Sequence, residues 1–324
     1  MERLLHRLVI KVPLQQQTQP HILVSIIKDI CRQHQIEFIA LKNQRVLQLQ
    51  AGGRTRFIYG FLFDVNNAVS MMLVNDKAAA YSVLYQAGIP AIEHMNFYGA
   101  DRQLLWKQIH DYFELNQRDL VCKRNMSSGG SSIIRVRDEM SLQETIQRIL
   151  LQSNSVCLAP YIELKDEYRI IMYQGVPQIS FVKIRPFVIG DGAHTLAQLI
   201  AQSYPDKKDI FFSQKRRDEL ECVPGFQEKV LLNWKHNLGL GGTAVLVTQE
   251  HILTPLHQLA IQTVNALNIQ FCSVDIVDTE KGYQVLEINA GVMMENFARQ
   301  NEEQFQMARD VYEKVLLDMM NLRR

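Results

Sequence analysis

A chain of 324 residues, 47% hydrophobic and 21% charged, can bury the cores of about two domains of ordinary size. Thirty-five basic residues against 34 acidic leave a net charge of +1, which argues against a general nucleic-acid binder and against an electrostatic pull to membranes. Cys31, Cys122, Cys157, Cys222 and Cys272 are odd in number, scattered and without a CxxC pair, so neither a disulfide framework nor a structural zinc site is expected.

The opening MERLLHRLVIKV is too charged for a signal peptide. No apolar run approaches the roughly 18–20 residues needed to span a bilayer. The expectation is a cytoplasmic protein with neither membrane nor nucleic acid as partner.

Residues 1–74 read as a small α/β lobe. Ile22, Ile26, Ile27 and Ile30 recur at helical spacing within 21–34. Short strands follow at 37–41, 46–49 and 56–59, with Gly52-Gly53 turning between the last two. A helix begins at 65–73. A second, 76–87, has Asp76 as N-cap and ends at Gly88 and Pro90.

From about residue 120 the character changes. The strand 119–124 carries Lys123, and Asn125-Met-Ser-Ser-Gly-Gly-Ser-Ser132 separates it from another strand at 133–137. Strand, Gly/Ser loop, strand suits a flap whose backbone N–H groups reach phosphates. A plain hairpin turn is the competing reading. Helix 140–151 and a strand 156–162 interrupted by Pro160 come next.

A hairpin is expected from strands 166–173 and 178–186 around Gly175-Val-Pro177. Lys183 and Arg185 share one face of its second strand. Gly190-Asp-Gly-Ala-His194 leads into helix 195–202, and 204–225 reads as polar and irregular. Asn237-Leu-Gly-Leu-Gly-Gly-Thr243 is a second glycine-rich loop before strand 244–247. Helices are expected at 255–267 and at 302–321, the last packing on the outside.

The most informative stretch is FCSVDIVDTEKGYQVLEINAGVMMENF, 271–297. Strand 271–277, a polar loop ending at Gly282 and strand 283–289 form a hairpin. Glu287 and Asn289, two apart, point the same way, and the hairpin brings Asp275 beside them. Two carboxylates and an amide are hard oxygen ligands suited to Mg²⁺; a solvent-facing edge with ordinary acids is the alternative. Buried acids need a counter-charge, for which Lys183 and Arg185 are the candidates.

The order of these segments resembles the ATP-grasp ligases, and more closely the ATP-grasp module of cyanophycin synthetases and bifunctional glutathione synthetases. The resemblance is carried by Asp64-Val-Asn-Asn-Ala-Val-Ser70, Asp76-Lys77, Ala87-Gly-Ile-Pro90, Glu167-Tyr-Arg169, Arg185 with Gly190-Asp-Gly-Ala-His-Thr195, Asn237 with Gly241-Gly-Thr243, and Glu287-Ile-Asn289.

It implies an α/β (α+β) fold in which two α/β subdomains with antiparallel sheets grip ATP. These would occupy 75–324, with a mobile lid at about 114–182. Activity would be ADP-forming carboxylate–amine ligation through an acyl phosphate, on small-molecule acids and amines such as amino acids or short peptides. A nucleotide-binding protein without ligase chemistry and a small-molecule kinase are the rivals.

By the same resemblance, Lys123 meets the nucleotide phosphates, and Ser127, Ser128, Gly129, Gly130 and Ser131 close over them. Pro160, Tyr161 and Ile162 form the adenine hinge. Glu167 holds the ribose, and Lys183 is a second lysine near the nucleotide. Asp275, Glu287 and Asn289 bind Mg²⁺, as two ions, with Mn²⁺ an alternative and Glu287 bridging. Arg185 and Asn237 sit where the acyl phosphate forms, with Lys183 counted among the catalytic groups.

Two departures stand out: Ala159, where relatives often have glutamate at the hinge, and Gly291-Val-Met-Met-Glu295 after the metal strand. Glu295 would meet an amino group of the acceptor and the basic run 215–217 a carboxylate; the alternative is that Met293 and Met294 are core and the charges solvated, which for 215–217 is the main expectation. A homodimer is left open.

Overall fold

The computed structural model describes residues 21–126 and 133–322. Helix Ile22–Gln33 buries the expected isoleucine stripe against a four-stranded antiparallel sheet, β1 (Glu37–Leu41), β2 (Val46–Ala51), β3 (Arg54–Tyr59) and β4 (Leu62–Phe63). Gly52 and Gly53 both take positive φ, as a two-residue hairpin turn requires. Helices Ala68–Asn75 and Lys77–Gln86 follow, and Asp76 caps the second by accepting from the Ala79 N–H at 2.9 Å.

The second sheet runs β5–β8–β6–β7, all antiparallel, from β5 (Met95–Tyr98), β6 (Leu120–Lys123), β7 (Ile134–Val136) and β8 (Ser155–Pro160). Helices Arg102–Leu115 and Glu139–Leu150 cover one face of it, closing a core of Leu105, Ile109, Phe113, Leu142, Ile146 and Leu158.

The third sheet is central and five-stranded. Its strands β9 (Glu167–Tyr173) and β10 (Val176–Ile184) join through a two-residue turn at Gln174 and Gly175, both at positive φ. The turn therefore sits earlier than expected, and Val176 and Pro177 already belong to the strand. Next, β11 (Phe187–Ile189) and β12 (Lys229–Leu231) form a small ribbon. Between them lie helices Leu196–Ser203, Lys208–Phe212 and Arg217–Glu221 with their own core of Val188, Leu199, Ile200, Phe211 and Leu232. The stretch read as irregular is thus partly helical, because Phe211 anchors helix 208–212 in this core and Leu220 of helix 217–221 packs against it, contacts that polar composition conceals.

Strands β13 (Thr243–Leu246), β14 (Phe271–Thr279) and β15 (Gly282–Asn289) complete the central sheet in the order β13–β10–β9–β14–β15. Helix Glu250–Ala266 starts five residues before Pro255 and keeps it inside. Pro255 forfeits one hydrogen bond to the carbonyl four residues back, a loss outweighed by burying Leu256, Leu259 and Ala260.

Alternation divides the central sheet between two cores. Tyr168, Ile170, Met172, Cys272, Val274 and Ile276 face helix 250–266. Ile171, Tyr173, Ile179, Phe181 and Phe271 face the N-terminal lobe. Helix Glu302–Met320, expected outside, lies in this second core through Ala308, Val311, Tyr312, Val315 and Leu316. Its charged residues had masked a full apolar stripe. Among the described residues all five cysteines are free, four of them buried, and no helix is long and apolar enough to cross a membrane.

Candidate active site

The face of the central sheet that is apolar at one end is charged at the other. Continuing β9 past Ile171 on the same face places Arg169 and then Glu167, while β10 places Lys183 beyond Phe181. Arg169 of β9 lies opposite Asp275 of β14, which lies opposite Glu287 of β15. A register shift after Asp275 makes Leu286 an extra residue in β15, a bulge. It lets Val285 and Ile288 both enter the core while Glu287 and Asn289 stay on the charged face. There the Asn289 amide donates to Glu287 Oε1 at 3.2 Å.

Asp275 is 1% exposed, and its carboxylate is held on both oxygens. Arg169 donates to it through Nε and Nη2, each at 2.7 Å, and Lys183 Nζ lies 3.1 Å from Oδ2. Burial alone would raise its pKa. The Arg169 guanidinium and Lys183 ammonium outweigh that and hold it at about 2.

Lys183 also pairs with Glu167, whose carboxyl burial pushes upward against the pull of Lys183. His236 stands 3.7 Å from Glu167; burial, then Arg185 and Lys183, bring its pKa down to about 4. One of the two expected counter-charges is therefore in place. Arg185 makes no ion pair with Asp275 among the described residues, and the bidentate partner is Arg169, which was legible only as part of a motif.

The glycine loop is pressed against the end of β10. Asn237 caps its short 3₁₀ turn, Leu238–Leu240, by accepting from the Gly239 N–H at 2.8 Å. A Cβ on Gly242 would lie 3.0 Å from the carbonyl oxygens of both Asn237 and Ile184, so only glycine lets the loop approach the strand that leads to Arg185. Lys207 adds a bond to the Leu238 carbonyl at 3.2 Å.

Lys123 comes from the other sheet and is 4% exposed. Burial lowers its pKa, while Glu287 acts in the opposite sense, followed by Cys157 and Glu167. Its ammonium thus lies within electrostatic reach of acids on the central sheet. The chain crosses between the sheets just before β5, where the Val285 N–H donates to the Pro90 carbonyl at 2.9 Å and the Ile92 N–H to the Val285 carbonyl at 2.8 Å. Lys77 Nζ, 3.4 Å from the Asn125 carbonyl, ties helix 77–86 to the segment just after β6.

Pro160 pairs with Leu120 at the end of β8. The Tyr161 N–H donates to the Asp119 carbonyl at 3.0 Å, the Arg135 guanidinium stacks 3.2 Å from its ring centroid, and Ile162 follows half-buried in the strand-free segment. Ser127, Ser128, Gly129, Gly130 and Ser131, expected to close over the phosphates, lie outside the described residues.

On the acceptor side the expectation for Glu295 is corrected, while the solvated reading of 215–217 is the one the structure bears out. Glu295 accepts from the N–H groups of Ile22 and Leu23 at 2.9 and 3.0 Å, capping a helix whose own N-cap, His21, makes no side-chain cap. Val292 and Met294 are buried, and Tyr312 Oη bonds both backbones. The basic run 215–217 pairs locally with Asp218, Glu219 and Glu221 on and around its short surface helix.

Residues 222–312 match the RimK-like ATP-grasp domain, and the whole arrangement superposes on solved ATP-grasp enzymes. The bifunctional glutathione synthetase of Pasteurella multocida aligns over 90% of this chain and 44% of its own at a TM-score of 0.54 and 17% identity. The D-alanine–D-alanine ligase of Bacillus anthracis aligns over 78% and 68% at 0.52 and 13%.

The chain has the ATP-grasp fold.

In sequence, this ATP-grasp chain is 22% identical over 279 residues to the glutathione biosynthesis bifunctional protein of Mannheimia succiniciproducens, covering 79% of this chain and 36% of that one. Its identity to the Listeria innocua protein is also 22%, over 275 residues and 76% and 35% of the two chains. The chain thus spans about a third of the length of these curated relatives.

Proposed function

We propose that this chain is an ATP-dependent carboxylate–amine ligase of the ADP-forming kind. The observation that carries the reading is Lys123, buried on one sheet, and the acids Asp275 and Glu287, paired on the other, with the two sheets joined where Ile92 bonds to Val285. The ligases among its relatives and structural neighbours support the same class.

In this reaction an acid's carboxylate oxygen attacks the γ-phosphate of ATP and ADP leaves. The amine nitrogen then attacks the acyl carbon, phosphate leaves, and an amide remains. Such chemistry needs charge neutralised along the phosphates and at the developing oxyanion rather than a covalent protein group.

Lys123 supplies positive charge from the lid sheet. Arg185, with Asn237, is read as standing where acyl oxygens would gather, the N–H groups of residues 239–242 being bonded within their own loop, and Pro160, Tyr161 and Ile162 offer a backbone edge to a base. Lys183, held by Glu167 and Asp275, fixes the orientation of both acids.

A Mg²⁺ ion would suit this donor set. Glu287 and Asn289 present hard oxygens side by side and half-buried. Asp275 is neutralised by Arg169 and Lys183: Oδ2 takes both Arg169 Nη2 and Lys183, while Oδ1 takes only Arg169 Nε and keeps a lone pair. When bound, the ion would neutralise phosphate charge.

The test is a phosphate-release screen over pairs of amino acids and short peptides, with product masses measured. A Mg²⁺-dependent release accompanied by a condensed product one water lighter than the pair is the expected result. A phosphorylated acid with no amide in the presence of every amine would overturn ligation in favour of simple phosphate transfer.

A further inference from the structure

His94 stands at the crossing from the central sheet to the lid sheet, one residue before β5. It is 3% exposed. Its Nδ1 lies 2.9 Å from the Ile92 carbonyl oxygen and its Nε2 lies 2.6 Å from Lys123 Nζ. A carbonyl can only accept, so Nδ1 must carry the proton. In the neutral ring Nε2 is then a lone pair, and a lysine ammonium has protons but no lone pair of its own to offer. The chemistry of the two neighbours thus fixes both the tautomer and the direction of the bond: Lys123 donates to His94.

This bond spends one of three ammonium protons and leaves two for phosphate oxygens. The ring itself is anchored through Ile92, whose N–H is bonded to Val285 of the acid-bearing hairpin. An imidazolium in the same place would put a proton against an ammonium. Burial and the Lys123 charge both hold the ring neutral, well below its ordinary pKa.

We propose that His94 is a positioning residue for Lys123, a permanently neutral acceptor that keeps the buried ammonium charged and fixed in place relative to Glu287. The proposal rests on the reading of Lys123 as the nucleotide lysine for its consequence in binding, though not for the bond itself. The groups whose charge reaches Lys123 are Glu287 of β15, Glu167 of β9, Cys157 of β8 and Lys77 of helix 77–86. Cys157 is pushed up to about 11 by burial, leaving a neutral thiol there at physiological pH. His94 is the neutral acceptor touching the ammonium. Without it, the desolvated ammonium loses its hydrogen-bonded support and gives up its proton at lower pH.

The experiment compares wild type with His94→Leu, which removes the acceptor at similar bulk, and His94→Gln, whose amide oxygen can still accept. Nucleotide affinity is measured against pH with a non-hydrolysable ATP analogue, and the Lys123 ammonium is titrated by NMR in ¹⁵N-lysine protein, with Lys123→Arg as the assignment control. In His94→Leu, Lys123 should titrate at least one pH unit below wild type, and affinity should begin to fall at a correspondingly lower pH, reaching a tenfold deficit. His94→Gln should restore most of the difference.

An unchanged Lys123 titration in His94→Leu overturns the proposal, as does an affinity loss equal at every pH. Should His94→Leu not fold, ¹⁵N-histidine spectra of the wild type decide: Nδ1 protonated and Nε2 bare from pH 6 to 9 supports it, and a protonated Nε2 overturns it. If Lys123→Ala leaves nucleotide affinity intact, the nucleotide reading falls, while the titration still decides what His94 does.

Discussion

Asp275→Asn tests the buried charge network because it keeps the side chain's size and removes only its charge. In the wild type, Asp275 is 1% exposed and bonded twice by Arg169 at 2.7 Å and approached by Lys183 at 3.1 Å. Its pKa falls from 3.8 to about 2, which corresponds to about 2 kcal/mol of stability at neutral pH. Removing one partner of a buried pair also strands the others, and such truncations cost about 3–5 kcal/mol. The stranding cost dominates here, since among the described residues the acids left near Arg169 and Lys183 would be Glu167 and Glu287.

At roughly 2–4 °C per kcal/mol for a chain of this size, the variant should melt about 10 °C lower. The sign of the pH effect is fixed. A carboxyl depressed in the folded state contributes stability above its unfolded pKa near 4, and that contribution is lost as pH falls toward 2. Glu167, raised by burial, moves oppositely, so the comparison is made between the two proteins and not within the wild type. Urea unfolding at a series of pH values measures it. A gap under about 1 kcal/mol at pH 7, or one that does not narrow in acid, would refute the network as the source of stability.

Glu287→Gln should leave the fold intact and lower Mg²⁺-dependent phosphate release by on the order of a hundredfold, equivalent to about 3 kcal/mol of charge stabilisation; near-normal turnover at ordinary Mg²⁺ would remove it from the site. Gly241→Ala places a Cβ 2.6 Å from Phe211 Cζ at a φ of +99°, so about 1–3 kcal/mol of strain should appear as a lower unfolding midpoint and slowed turnover. His236, brought down to about 4, remains neutral at physiological pH, and His236→Asn should therefore leave the shape of the rate profile unchanged over roughly pH 6–8. Glu295→Ala should cost about 1–2 kcal/mol in denaturation as a lost helix cap, with the ranking of amine substrates unaltered.

Elements defined by local chemistry were legible in the sequence. The first helix, β1, the Gly52-Gly53 turn, the Asp76 cap and the β14–β15 hairpin all follow from side-chain period and turn residues within one segment. Glu287 and Asn289 share a face as their spacing requires. Of the partners that arrive from distant segments, Lys183 was legible as a counter-charge to Asp275 and the others were not. Nothing around Asp275 names β9 as its other neighbour, so Arg169 could be read as part of a motif but not as the counter-ion. Glu295 caps a helix more than 270 positions away, and an acid after a metal strand reads locally as a substrate contact. The bulge at Leu286 was hidden because simple alternation already accounts for Glu287 and Asn289.

The N-terminal lobe is built into the grip. Asn66, in a segment that resembles ATP-grasp relatives, accepts from the N–H groups of Gln270 and Phe271 and donates to the Phe271 carbonyl, at 2.7–2.9 Å. It thereby holds the first residue of β14, four positions before Asp275. Phe61 accepts from the Val292 N–H at 3.2 Å, three residues past Asn289. Phe63 packs edge-on to Phe271 and stacks on Tyr312, and Tyr312 fixes the loop that follows β15. Both strands that carry the acids are thus clamped just outside the charged row by the same short segment, Phe61 to Asn66. Because interiors are close-packed and transmit displacement, a shift of that segment would move Asp275 and Glu287 together. Positions in the lobe away from the charged row are then expected to affect the acids as a pair.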